Sequence, residues 1–250
     1  TEQETKVQKG TIVVKYQTTT GEQLQGDKEK AGLIKTTEKT VAPKEIKKDG
    51  ITYKLVKLLD NETEKSFEEE DEASVSYQAT YQEKTTTVKY IYYKQTADIT
   101  NDKIEKTGTE KITSSKEKVS YQINYNAQID HYIGHITTKV VDTLPYEIDE
   151  SKSNLNDGTY DAATKTITWT VTVEDIDTYK NPDSGNIKID KQIAVVYLNI
   201  PTDVDTITNK VNTTITVDKQ EIKKETEQET KVQKGTIVVK YQTTTGEQLQ

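Results

Sequence analysis

Few side chains in this chain are spaced to do chemistry. His131 and His135, within His-Tyr-Ile-Gly-His, stand four residues apart, and on a helix that spacing lets two imidazoles share a metal. Gly134 and the strand-forming residues around it argue against a helix, and no acidic third ligand follows at a useful spacing. Asp149, Glu150, Asp157 and Asp161 gather loosely in one stretch and offer the hard oxygen ligands that calcium takes, but without EF-hand spacing. No other cofactor is expected. The 42 acidic residues are so widely spread that carboxylate pairs single out no acid–base couple. No P-loop, Rossmann glycine pattern or nucleophile elbow is present. With no Cys, disulfides, thiol catalysis and Cys-bound zinc are excluded. The expectation is a protein that is not an enzyme.

The elements that must hold any such site are marked by a repeat. Thr1–Gln25 recurs letter for letter as Thr226–Gln250, an offset of 225 residues (226 − 1). Folding constraints do not reproduce 25 residues, whereas tandem duplication does. One full repeat unit followed by the start of the next is expected, within a longer array. A unit of that length has room for two domains.

Hydrophobic residues make up 31% of the chain and charged residues 30%, with a mean hydropathy of −0.84. That is polar, but Thr, Val, Ile and 15 Tyr spread along the chain are strand formers, so it does not read as disorder. All 34 basic residues are Lys, and the net charge of −8 argues against a nucleic-acid partner. No apolar run is long enough to span a membrane.

Period-2 alternation dominates. Strands are expected at Thr11–Tyr16, Ile51–Leu59, Ala73–Tyr81 and Thr86–Tyr93. Gly26–Lys48 is left open between helix and extended chain, and Glu62–Glu72 reads as a solvated acidic hairpin or loop. Further strands are expected at Ile104–Ile112, Lys118–Tyr125, Gly134–Thr143, Thr166–Val173, Ile187–Ile200 and Thr206–Val217. Turn signals at Asn156-Asp-Gly158, Asn181–Gly185 and Pro201–Asp203 separate them, which is the pattern of an antiparallel sandwich. Trp169 belongs to an apolar face with Ile167, Val171 and Val173. Glu221–Lys234, charged and without Gly or Pro, reads as a short extended linker to the next repeat.

Gly10-Thr-Ile-Val-Val-Lys-Tyr16, Gly21 and the closing strand Thr87-Val-Lys-Tyr-Ile-Tyr-Tyr-Lys94 resemble MucBP (mucin-binding protein) repeats of Gram-positive surface proteins. The family's acidic turn is Thr18-Thr-Thr-Gly21 here, without its Asp. The resemblance implies a β-grasp-like fold and adhesion to host mucin or glycan. Lys118-Val-Ser-Tyr-Gln-Ile123, Val140-Val-Asp-Thr-Leu-Pro145, Gly158–Trp169 and Ile207-Thr-Asn-Lys-Val211 are similar to immunoglobulin-like repeats of bacterial adhesins and pilins.

Some members of that second family carry an intramolecular Lys–Asn isopeptide bond, formed with the help of an Asp, and strand parity permits one here. Lys106 shares a face with Ile104, Asp142 with Val140 and Leu144, and Asn209 with Ile207 and Val211. Alternation therefore lets all three point into one core. Burial lowers the pKa of a Lys and makes its amine nucleophilic, while a buried, protonated Asp polarises the Asn carboxamide. Lys106 and Asn209 are the expected cross-link, with Asp142 as its catalyst. Lys111 and Asn212 compete nearby, and a change of parity would turn Lys106 outward.

The expected architecture is mainly all-β: a MucBP-like β-grasp domain over 1–95, an immunoglobulin-like sandwich over 96–222, and linker plus the first strand of the next repeat over 223–250. The expected function is a mechanically and proteolytically robust stalk in a long adhesin or fibre on the cell wall of a Gram-positive bacterium. Its partners would be neighbouring repeats of the same chain. The alternative is a mucin- or glycan-binding module, for which Tyr90, Tyr92 and Tyr93 come nearest to an aromatic platform.

Overall fold

In Lys9–Thr18, Ile12, Val14 and Tyr16 are buried and the residues between them are half-exposed, as the alternation requires. A computed structural model describes residues 7–114, 116–217, 220–235 and 239. They fall into two compact units. The first holds the chain up to Thr100 together with Gln128–His135 and Glu174–Asn186, and the second holds Asn101–Ala127, Ile136–Val173 and the chain from Ile187 onward.

The chain begins with β1 (Lys9–Thr18), β2 (Gln23–Leu33), β3 (Thr37–Pro43), β4 (Glu45–Lys48) and β5 (Ile51–Asp60). It continues with β6 (Thr63–Lys65), β7 (Glu68–Glu69), β8 (Ser74–Thr80) and β9 (Thr86–Lys94). One sheet runs β2-β1-β9-β5-β4, with β6 beside β5, and a smaller one runs β3-β8-β7. β1 lies parallel to β9, Ile12 opposite Thr86 and Tyr16 opposite Tyr90. The stretch left open between helix and extended chain is β2, β3 and β4. Tyrosine hydroxyls tie the two sheets: Tyr16, Tyr90 and Tyr92 donate to the carbonyls of Val41, Thr40 and Pro43 on β3, at 3.1, 3.1 and 2.8 Å. Each buries an aromatic ring and still satisfies its polar tip.

The later strands are β10 (Asp98–Gly108), β11 (Lys111–Ile112), β12 (Lys118–Asp130), β13 (Ile133–Thr143) and β14 (Thr159–Asp161). They end with β15 (Thr166–Asp177), β16 (Asn186–Val196), β17 (Thr206–Val217) and β18 (Gln220–Val232). One sheet is β10-β12-β16 and the other β11-β18-β17-β13-β15-β14. Among the described residues the fold is all-β but for two short 3-10 turns, at Glu150–Lys152 and Pro182–Gly185. Val119, Tyr121, Ile123 and Tyr125 of β12, and Val140, Val211 and Ile215 of β13 and β17, are buried core. The Asn156-Asp-Gly turn holds both Asn156 and Asp157 at positive φ (49° and 61°). A Cβ on Gly158 would come within 2.7 Å of the indole of Trp169, which is itself buried.

One expectation is corrected. Glu221–Lys234, expected as a linker, is largely strand: β18 pairs with β17 over all but its last residue, from Val217 opposite Gln220 to Thr206 opposite Lys231. Its inward positions carry Ile222, Thr226, Gln228, Thr230 and Val232, and its outward ones are charged. Intact ladder bonding, together with burial of Thr230, holds it where apolar surface is scarce. The first strand of a further copy, expected from Gly235, lies outside the described residues except for Gly235 and Val239.

Candidate functional site

Lys106 on β10, Asp142 on β13 and Asn209 on β17 meet in the core of the second unit, as the parity argument expects. The Lys106 and Asp142 side chains have no exposure, and Asn209 is likewise at 0%. The Lys106 ammonium is paired with Asp142 Oδ1, and Asn209 Nδ2 donates to Asp142 Oδ2 at 3.3 Å. Asp142 thus stands between amine and carboxamide. β13 and β17 set it there by antiparallel register, with Asp142 opposite Val211 and Val140 opposite Thr213. Lys106 comes from the other sheet and crosses the core.

Two features of β10 and β12 position the Lys. Gly108 lets β10 lie close, since a Cβ there would sit 2.5 Å from the Ser120 carbonyl and 2.7 Å from the Tyr121 ring. The Tyr121 ring then covers Lys106 Nζ at 4.8 Å. The Tyr121 hydroxyl shares a hydrogen bond of 3.1 Å with Tyr197 and also has Thr230 and Asn209 as polar neighbours. Asn209 Oδ1 is buried without a partner in hydrogen-bond geometry.

Burial sets the protonation of the site. It pushes the Lys106 pKa down, against the pull of Asp142, and pushes Asp142 up, against Lys106 and Asn209. Both shifts favour a neutral amine beside a neutral acid. Burial likewise raises the hydroxyls of Tyr121 and Tyr197, which stay protonated donors.

The competing residues are elsewhere: Lys111 is exposed and Asn212 only half-buried, on the opposite face of β17 from Asn209. His131 and His135 are both exposed, and His131 Nδ1 lies 3.1 Å from Asp98. No cluster of three metal-ligating side chains occurs among the described residues. Asp149 and Asp161 accept bonds from their own turns, from Ser151 and from Ala163 and Thr164. Tyr90 and Tyr92 are buried and only Tyr93 is half-exposed, against Tyr179 at 5.2 Å, so the three form no exposed aromatic platform. The residues that sequence reasoning missed are Tyr121, Tyr197 and Gly108; an aromatic at an inward position of the strand facing Lys106 was the available signal.

No family model matches the chain, and no curated protein matches it. Among solved structures, the C-terminal domain of the Streptococcus pyogenes antigen I/II-family protein AspA is 10% identical, covering 90% of this chain and 99% of its own at a TM-score of 0.36. The major pilin subunit BcpA of Bacillus cereus is 13% identical over 90% of this chain and 69% of its own, at 0.33. The full-length major pilin SpaD of Corynebacterium diphtheriae is 11% identical over 88% of this chain, which spans 64% of that pilin, at 0.32. At this level of similarity none of them bears on function.

Proposed function

We propose that this chain is a structural repeat unit of a long bacterial surface adhesin or fibre, stapled by a self-made amide between Lys106 and Asn209. The observation that carries the reading is the fully buried Lys106–Asp142–Asn209 contact. An ion pair in a core costs desolvation and is poor evidence of stability by itself. Placed against a carboxamide, the same pair is a reaction centre.

The chemistry balances without a co-reactant. A proton shared by Lys106 and Asp142 resides on the carboxyl, leaving a neutral amine. Nζ attacks Asn209 Cγ, and the carboxyl oxygen donates its proton towards the carboxamide. The C–N bond of the carboxamide breaks, Asp142 returns a proton from the attacking nitrogen to the leaving nitrogen, and ammonia departs. One amide replaces one amine and one primary amide. The link closes roughly 100 residues and, in the chain-entropy model, contributes about 4–5 kcal/mol. It supplies covalent closure that the absent cysteines cannot. The duplicated segment supports a tandem array, in which each sandwich would bear tension transmitted through its neighbours. A Gram-positive cell wall as the site of attachment follows from the resemblances alone.

The test is the intact mass of the purified chain beside Asp142→Ala. The chain is expected to be lighter than its sequence by one ammonia and the variant to have full mass. Full mass in both removes the cross-link.

A further inference from the structure

The groove between β17 and β11 is filled by a sequence that occurs twice. Residues Thr226–Val232 of β18 are identical to Thr1–Val7. In the sandwich this segment pairs antiparallel with β17, Thr226 opposite Val211, Gln228 opposite Asn209 and Lys231 opposite Thr206. On its other edge it pairs parallel with β11, Val232 opposite Ile112. Thr230 is fully buried and donates to the Thr109 carbonyl at 2.7 Å. The Lys231 and Val232 amides donate to Glu110 and Asp205 carbonyls at 2.9 and 2.8 Å.

We infer that this groove is an acceptor site for Thr1–Val7 of another copy. A segment identical to the seated strand presents the same side chains and the same backbone donors, so whatever the groove accepts at 226–232 it accepts at 1–7. Thr5 takes the place of Thr230, and Val7 that of Val232. Where copies follow one another in a chain, each sandwich is closed by the opening residues of the next unit. The covalent junction, Glu225–Thr226, then lies inside a strand rather than in a linker, opposite Asn212 and Val211, and the next unit's third residue pairs with Asn209. Between separate chains the same exchange runs head-to-tail and generates ladders, or rings where the rotation closes. In the intact chain its own β18 fills the groove at high effective concentration and excludes the competitor. The inference rests on sequence identity and strand pairing and holds with or without the Lys106–Asn209 bond.

The experiment uses the full chain. Thr230→Asp with Val232→Asp puts charge at one fully buried and one half-buried inward position and evicts the second half of β18, leaving Thr1–Val7 unaltered. The unsubstituted chain is expected to sediment as one chain and the double variant as a concentration-dependent ladder of two, three and more. Adding Thr5→Asp and Val7→Asp removes the donor and is expected to return it to a single chain. A double variant that stays single overturns the inference. So does a ladder that persists in the fourfold variant, because misfolding would then be the cause of association.

Discussion

Asn209 presents Nδ2, not Oδ1, to Asp142, at 3.3 Å from Oδ2. That orientation suits a carboxylate, which only accepts. A protonated Asp142 has a hydrogen to give, and its natural acceptor is Oδ1, the atom left without a partner. Moving the shared proton from Lys106 to Asp142 therefore favours a half-turn of the carboxamide, which activates it towards the amine just freed.

Asp142→Asn tests the acid role while preserving size. The replacement carries no titratable proton, so cross-linking is expected to slow by about 10²–10⁴-fold, the usual worth of acid–base assistance. The readout is the fraction of chains lacking one ammonia against time after refolding. Formation at the unaltered rate would leave Asp142 a structural partner only.

Tyr121→Phe tests a second contribution. The Tyr121 hydroxyl has Asn209 among its neighbours and is held as a donor by burial. Negative charge develops on Oδ1 during attack, and once the carboxamide has turned, a hydroxyl that reaches that atom is worth on the order of 100-fold in rate. The variant keeps the ring over Lys106, so its bond should form slowly but completely. A rate equal to that of the unsubstituted chain removes the hydroxyl from the chemistry.

Much of this site was legible because it obeys the rule that shapes the strands. Lys106, Asp142 and Asn209 each occupy an inward parity position among Ile and Val, and strand alternation carries them into the core whatever their polarity. β1, β9, β12, β13 and β17 were legible for the same reason. β2 was not: Gln23–Leu33 is an edge strand with Leu24 as its single buried residue, so alternation leaves almost no apolar trace. β18 was misread as linker because its inward face uses Thr and Gln where burial is partial. Thr226, Gln228, Thr230 and Val232 do recur at period 2 there, and that weak signal was outweighed by the charges between them. Tyr121 escaped notice because one inward tyrosine among fifteen looks like ordinary core.

Lys106→Met should make stability depend on pH. Burial is the largest influence on Asp142 and raises its pKa, while Lys106 opposes it. Without the Lys, burial acts with less opposition. A carboxyl raised above its ordinary 3.8 holds its proton more tightly folded than unfolded, so its contribution is full below 3.8 and is lost as pH climbs through the folded value. Denaturant midpoints of Lys106→Met are expected to fall from pH 4 towards neutrality. Lys106→Met with Asp142→Asn has no such group and should show no such fall. Parallel profiles would mean that Asp142 is not buried as described.

Asn209→Ala removes the proposed cross-link and should lower the thermal midpoint of the second unit. The closed loop of roughly 100 residues is worth about 4–5 kcal/mol by chain entropy. At about 2–4 °C per kcal/mol, the midpoint should drop by about 8–20 °C, with the lost carboxamide bond adding to it. Trp169 is the single tryptophan and lies buried in this unit, its indole nitrogen donating to Asn156 at 2.9 Å, so its emission reports this transition. The first unit, held by the Tyr16, Tyr90 and Tyr92 hydroxyls, gains nothing from the bond, and its own melting should not move. Two transitions by calorimetry in the variant, of which only the one tracked by Trp169 has shifted, would assign the stabilisation to the staple. A shift of a degree or two, no larger than one lost hydrogen bond explains, would show that the loop was never closed.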